Sequence, residues 1–507
     1  MDALFSKKTL GPVDHHQPQK RRLRFAAGLG STLYKGVAGL SSVVVRRARR
    51  GGLSLLLKIL ATVVSVIILI RLIPSPLNGR KSPVPGWFKK KPVARGDDLR
   101  IVVFGSQDVA ASSLDSRPGG STWTHTLCKE LKCGTRHSFI PEYDRGIGLT
   151  SNKRYATELK TLQNFSKEAN LTDNPAADYS FLSEQYPGAT DAHDLEEQVQ
   201  DYFNTAGPKL PPRETVYVFT FGTWDIWNLA AMPLERGEAV VDDLARLIFN
   251  QTEYLYKKSL DTQTIAHSGY WGASIDPKAG RRDKDRAAKE AAKHRRFNVV
   301  IPELLDISMT PGWQFRPQPQ YPHSLAEHMR NSALLTMRWN EQMRSEMKKW
   351  TMKGSALPEG DMSDVHSDWA SKQYQYQDQA DLYPRRMGYF AETSSRMIEV
   401  LAEEDMQRTG ESDRTGRGKL PAQEKLRFGN TKLSCRAKSS LLSKLYWGKD
   451  ADDKYMKMER CPRPDNHLFY EPFTYNQRAV DEIGKIAAKG VKKHLFGMKV
   501  DDDEKGK

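Results

Sequence analysis

Three turns in the sequence gather the residue types that nucleophilic and acid–base chemistry require. Gly105-Ser106-Gln107-Asp108 follows the apolar run 99–104, and Gly222-Thr223-Trp224-Asp225 follows the run 216–221. Late in the chain, Pro464-Asp465-Asn466-His467 leads into Leu468-Phe469-Tyr470-Glu471. A hydroxyl, an imidazole and a carboxylate are the parts of an activated nucleophile: the base takes the hydroxyl proton and the acid orients the base. Asp364, His366 and Asp368 alternate as metal ligands can, but in a Gln-, Ser- and Asp-rich stretch an exposed polar turn is the simpler assignment, and no metal or cofactor is expected. Trp224, Trp227, Trp271 and Trp313 would suit a sugar-stacking cleft or, more simply, a packed core.

Elements that would carry these turns are legible in the hydrophobic pattern. Residues 99–104 (LRIVVF), 216–221 and 298–301 are continuous apolar runs, the form of strands buried on both faces. Helical spacing predicts amphipathic helices over 122–132, 237–258, 324–351 and 474–495. Buried strands alternating with amphipathic helices predict an α/β fold with a mainly parallel sheet. Ligands of such sheets bind beyond the carboxyl ends of the strands, where the first two turns stand. The predicted domain spans 99–496, with a charged helical excursion near 276–296, a disordered loop near 405–425, and a charged tail at 497–507.

Charge is distributed unevenly. The chain has 507 residues with 78 Lys+Arg and 62 Asp+Glu, a net of +16. Residues 1–96 hold 19 of the bases and two acids, Asp2 and Asp14, so the remaining body carries 59 bases against 60 acids. A near-neutral body gives no reason to bind nucleic acid. Hydrophobic residues make up 38% of the chain, enough to bury a core and to exclude wholesale disorder.

Residues 53–70 (LSLLLKILATVVSVIILI) are apolar on every side with one charge, Lys58, near the N-terminal end. As a helix this run is about 27 Å long, close to a bilayer's hydrocarbon core. A transmembrane helix over 53–73 is predicted, acting as a signal-anchor behind a basic, largely disordered cytosolic tail (1–52) and ahead of a Pro-rich basic stalk (74–98). Positive charge flanks both ends almost equally, so other features set the orientation. The body carries three glycan acceptor tripeptides, at Asn164, Asn170 and Asn250, and four cysteines, Cys128, Cys133, Cys435 and Cys461. Together these favour a lumenal body in the secretory pathway, as a glycoprotein with the local disulfides Cys128–Cys133 and Cys435–Cys461 among three possible pairings. The rival location is the mitochondrial inner membrane, because residues 20–50 are Arg-rich and acid-free.

The order of the pieces VVFGSQD, TFGTWDIW, VVIPELLDIS and DNHLFYEPFTYNQRAV resembles the blocks of SGNH, or GDSL-type, hydrolases across roughly 99–495. The resemblance implies a three-layer, flavodoxin-like α/β domain. It also implies an ester hydrolase or transferase acting on an acyl group of a glycan or lipid. Gly105 matches the first-block glycine, which places the nucleophile at Gln107, or at Ser106 if one residue is deleted from the turn. Gly222 and Asp225 match the third block, with Trp224 where the family's amide oxyanion donor stands. The last block places Glu471 at the acid and Thr474 at the base, while Asp465 and His467 have the right types a few residues early. Gly146 and Gly148 are candidates for the second-block glycine. Glutamine is no nucleophile and threonine accepts no proton near neutral pH, while a lost oxyanion donor costs about 10²- to 10³-fold in rate. Two functions therefore follow: an esterase using Ser106, Asp465 and His467, or a pseudoenzyme whose cleft binds a glycan, lipid or protein.

Overall fold

The computed structural model describes residues 99–107, 121–141, 148–169, 171, 174–188, 192–207, 211–269, 295–355, 383–419, 426–435 and 461–499. The predicted span at 53–73, its flanking tail and stalk, most of 276–296, Asn170, Trp271 and the Asp364–His366–Asp368 group (with residues 365 and 367 between them) lie outside these residues. Among the described residues, no helix is long and apolar enough to cross a membrane.

The first predicted strand forms as β1, Leu99–Gly105, buried along its whole length. Successive side chains of a strand point to opposite faces. Accordingly Val102 and Phe104 pack in one core cluster while Ile101 and Val103 pack in a second. Strand β2 (Thr135–Ser138) follows helix α1 (Trp123–Leu131), and β3 (Glu214–Thr220) follows α2 (Asn152–Glu168) and α3 (Leu195–Asn204). Helices α4 (Thr223–Leu229) and α5 (Leu234–Ser259) lead to β4 (Arg296–Pro302), and α6 (Leu325–Met352) leads to β5 (Arg385–Ala391). The five strands form a parallel sheet in the order β2-β1-β3-β4-β5. The predicted α/β class with a parallel sheet is what the chain adopts.

Helices cover both faces of that sheet. Tyr155 and Leu162 of α2, Val199 and Tyr202 of α3, Val241 of α5 and Leu335 and Trp339 of α6 join Val102, Phe104 and Phe219. On the other face, Trp123 and Leu127 of α1, Met397 and Val400 of α7 (Thr393–Thr409), and Val480 and Ile483 of α8 (Gln477–Gly490) join Ile101, Val103 and Val218. A small second sheet joins β6 (Asn430–Ser434) in parallel to β7 (His467–Glu471), which pairs antiparallel with β8 (Thr474–Tyr475).

Structure and sequence pattern part at several elements. Strand β5 begins with Arg385-Arg386 and so lacks the apolar run of a buried strand. Arg386 is nonetheless almost wholly buried, because its guanidinium pairs with the Glu253 carboxylate at 2.8 Å and lies 3.9 Å over the Tyr256 ring. The last helix starts at Gln477 instead of Thr474, since Thr474 and Tyr475 are taken up by β8 and the Asn476 side chain caps the helix by accepting from the Ala479 N–H. Residues 405–409, expected in a loop, form the last turn of α7.

Candidate functional site

The sheet order reverses its winding between β1 and β3, and doubly wound sheets bind ligands in the crevice at that switch point, beyond the carboxyl strand ends. Gly105, Ser106 and Gln107 leave β1 there, and Gly222, Trp224 and Asp225 open α4 after β3. Only glycine fits at 105, because a Cβ would lie 1.8 Å from Thr220 Oγ1. The Gly105 peptide is held from α3 by Gln198, whose Oε1 accepts from Gly105 N at 2.8 Å and whose Nε2 donates to Gly105 O at 2.9 Å. Gly222 has φ +118, and a Cβ there would meet the Trp339 ring at 2.6 Å.

Ser106 is completely buried. Its Oγ–H donates to the Thr220 carbonyl at 3.4 Å, and Thr220 Oγ1 donates back to the Ser106 carbonyl at 3.4 Å. Gln107 turns its side chain away, donating from Nε2 to Pro141 O at 2.9 Å, while its own carbonyl accepts the Trp224 indole N–H at 2.6 Å. Gly148, one of the two second-block candidates, lies against this turn: a Cβ there would stand 3.4 Å from Ser106 Cβ. Asp225, 3% exposed, accepts from Thr150 N at 3.0 Å and from Thr150 Oγ1 at 2.7 Å, tying the 148–150 segment to the head of α4. Burial pushes its carboxyl up to about 6, even though the Thr150 hydrogen bonds oppose the shift.

The late segment meets the crevice at one end only. Phe473, in the turn between β7 and β8, packs 5.2 Å from Trp224 and 5.3 Å from Trp227, centroid to centroid. Glu471 and Thr474 flank Phe473 as register partners, both buried, and Thr474 Oγ1 has no hydrogen-bond partner among the described residues. His467 stands at the opposite end of β7, four residues and about 13 Å back along an extended strand. His467 Nδ1 is engaged by the Leu433 carbonyl at 3.1 Å, and the Asp465 carbonyl accepts from Arg478 at 2.9 Å. The structure thus gathers Ser106, Gln107, Gly148, Gly222, Trp224 and Asp225, and brings the Glu471–Thr474 turn toward them. It does not pair Ser106 with His467 or Asp465.

The cavity beyond β3, β4 and β5, lined by Thr220, Thr223, Leu304, Ser394 and Tyr475 among others, measures about 40 Å³. Ligand pockets run to roughly 300–1,000 Å³. Trp224, Trp227 and Trp313 are buried core residues, with Trp227 and Trp313 packing edge to face at 5.6 Å. The Arg316 guanidinium lies 4.6 Å from each of the Tyr186, Trp227 and Trp313 rings and donates to His328 Nδ1 at 3.2 Å. Burial, with Arg316 adding to it, pushes the His328 imidazole down to about 3, so it is neutral. Among the described residues, no cluster of His, Cys, Asp and Glu could hold a metal.

Gln198, Thr150 and Phe473 escaped the sequence pattern. A glutamine in an amphipathic helix and a threonine before one carry no signal, and only the nearness of Phe473 to Glu471 marked it. The cysteines form the two local pairs, Cys128–Cys133 and Cys435–Cys461, with Cα separations of 5.0 and 5.1 Å. Asn164 on α2 and Asn250 on α5 are exposed. No protein-family model matches this chain, and no curated protein matches it.

Proposed function

We propose that this chain is a single-pass type II membrane protein whose lumenal α/β domain descends from SGNH-type hydrolases and serves as a binding module for a glycan, lipid or protein in place of an esterase. One observation carries this: the Ser106 hydroxyl is fully buried and donates to a backbone carbonyl. A carbonyl oxygen orients a hydroxyl but cannot remove its proton, and a serine nucleophile needs a base within about 2.6–3.2 Å. The positions from which the family would supply acid and base carry Glu471 and Thr474, and the second of these has no proton-accepting nitrogen.

Fluorophosphonate labelling of wild type and Ser106→Ala, beside a reactive control esterase, tests the inert site. Equal absence of label supports it, and labelling of wild type that disappears in Ser106→Ala overturns it. The location is tested separately by deglycosylation. A mobility shift abolished in the combined Asn164→Gln, Asn170→Gln and Asn250→Gln variant supports a lumenal body. No shift, together with protection of the body inside mitochondria, supports the inner-membrane alternative.

A further inference from the structure

A groove of about 560 Å³ opens at the other end of the sheet from Ser106, beside Pro211 and the start of β3. The length of β3 puts roughly 20 Å between the two. Its walls are the last turns of α3 and α5 and the loop that follows α5, contributing Phe203, Thr205, Tyr254, Lys258, Gln263 and Thr264. The volume falls in the range of small-ligand sites.

We infer that this groove binds an acidic saccharide. Phe203 and Tyr254 meet edge to face, 5.7 Å apart at 83°, and form an apolar corner of the kind against which the C–H face of a sugar ring packs. Two of the hydroxyl protons around it are already committed. Thr205 Oγ1 donates to Asp201 O at 2.8 Å, and Thr264 Oγ1 donates to Lys258 O at 2.8 Å. That leaves the lone pairs of these two oxygens as acceptors for donors such as sugar hydroxyls. Lys258 supplies the charge selection. Its ammonium lies 5.6 Å from the Tyr254 ring centroid, and among the described residues it makes no ion pair and no residue lining the groove is acidic.

Phosphate is a poorer match than carboxylate. Helices α3 and α5 both end at the groove, with caps at Thr205 and Leu260, and helix C-termini carry partial negative charge. That field opposes a dianion but accepts hydroxyl donors and leaves one carboxylate to Lys258. The groove is independent of the strand-end site, so the inference holds whether or not Ser106 is inert.

The test is calorimetry on the full-length chain in a polyoxyethylene detergent, which carries no sugar head group. The probes are a hyaluronan tetrasaccharide, cellotetraose as the neutral control, and UMP as the phosphate rival. The hyaluronan fragment is expected to bind at least tenfold more tightly than either of the others. Lys258→Gln, a change at a half-exposed side chain, raises its Kd about tenfold, the scale of one charge-assisted hydrogen bond. Ser106→Ala binds like wild type, which separates this outcome from that of the labelling experiment. Absence of binding by the folded chain, an unchanged Kd in Lys258→Gln, or equal or tighter binding of cellotetraose or UMP overturns the inference.

Discussion

Trp224 donates its indole N–H to the Gln107 carbonyl at 2.6 Å, so the head of α4 holds the turn that leaves β1. Phe473 packs against the same indole at 5.2 Å, which adds the β7–β8 turn to the assembly. The Trp224 indole thus spends its donor on a backbone carbonyl of the protein.

Replacing Trp224 by Phe keeps most of the aromatic packing and strips the Gln107 carbonyl of its donor. The variant is expected to lose about 1–3 kcal/mol, the cost of a buried acceptor left unpaired. Urea unfolding measures this as a shift in midpoint at constant slope. A midpoint equal to wild type would show that water replaces the indole without loss.

Gly222→Ala places a methyl 2.6 Å from the Trp339 ring at a backbone φ of +118. Strain and overpacking act together there, and a loss of about 3 kcal/mol or more is expected. Gly207→Ala is the matched control, since a Cβ there meets nothing within 4 Å and stability should stay within about 0.5 kcal/mol. Equal midpoints for the two variants would contradict the packing at Gly222.

Asp225 makes stability depend on pH. Its carboxyl is raised from 3.8 to about 6 in the folded chain, so the native state holds the proton more tightly than the unfolded state. The resulting stabilisation is fully present below about pH 3.8 and lost as pH rises through about 6, amounting to about 3 kcal/mol for a buried group. Asp225→Asn removes this titration. Subtracting its stability curve from that of wild type should give a difference that falls across this window, and a flat difference would rule the coupling out.

The two disulfides differ in the chain they close, with sequence separations of 5 and 26. Loop entropy gives about 2 kcal/mol for the shorter and about 3.5 kcal/mol for the longer. Paired serine substitutions at Cys435 and Cys461 should therefore lower the thermal midpoint more than those at Cys128 and Cys133. The reverse order, measured by calorimetry on both double variants, would reject loop length as the cause.

Sequence by itself determined the fold class and the location of the first two turns. The short, largely apolar runs at 99–104 and 216–221, each closed by a glycine, have the form of strands covered on both sides, and the glycines stand where the chain passes close to Thr220 or Trp339. Of the three pairings that four cysteines allow, the favoured local one is the one that forms. Strand β5 was hidden because Arg386 enters the core through Glu253, a partner 133 residues away. Tertiary structure alone decided which end of the late segment meets the crevice. The polar types of Asp465 and His467 are visible in sequence, but pairing of β7 with β6 and β8 carries Glu471 and Thr474 inward and leaves His467 on Leu433. Whether a serine is a nucleophile depends on burial and on the atom opposite its hydroxyl. For Ser106 that atom is the Thr220 carbonyl, 114 residues along the chain, and it is set by the parallel register of β1 and β3.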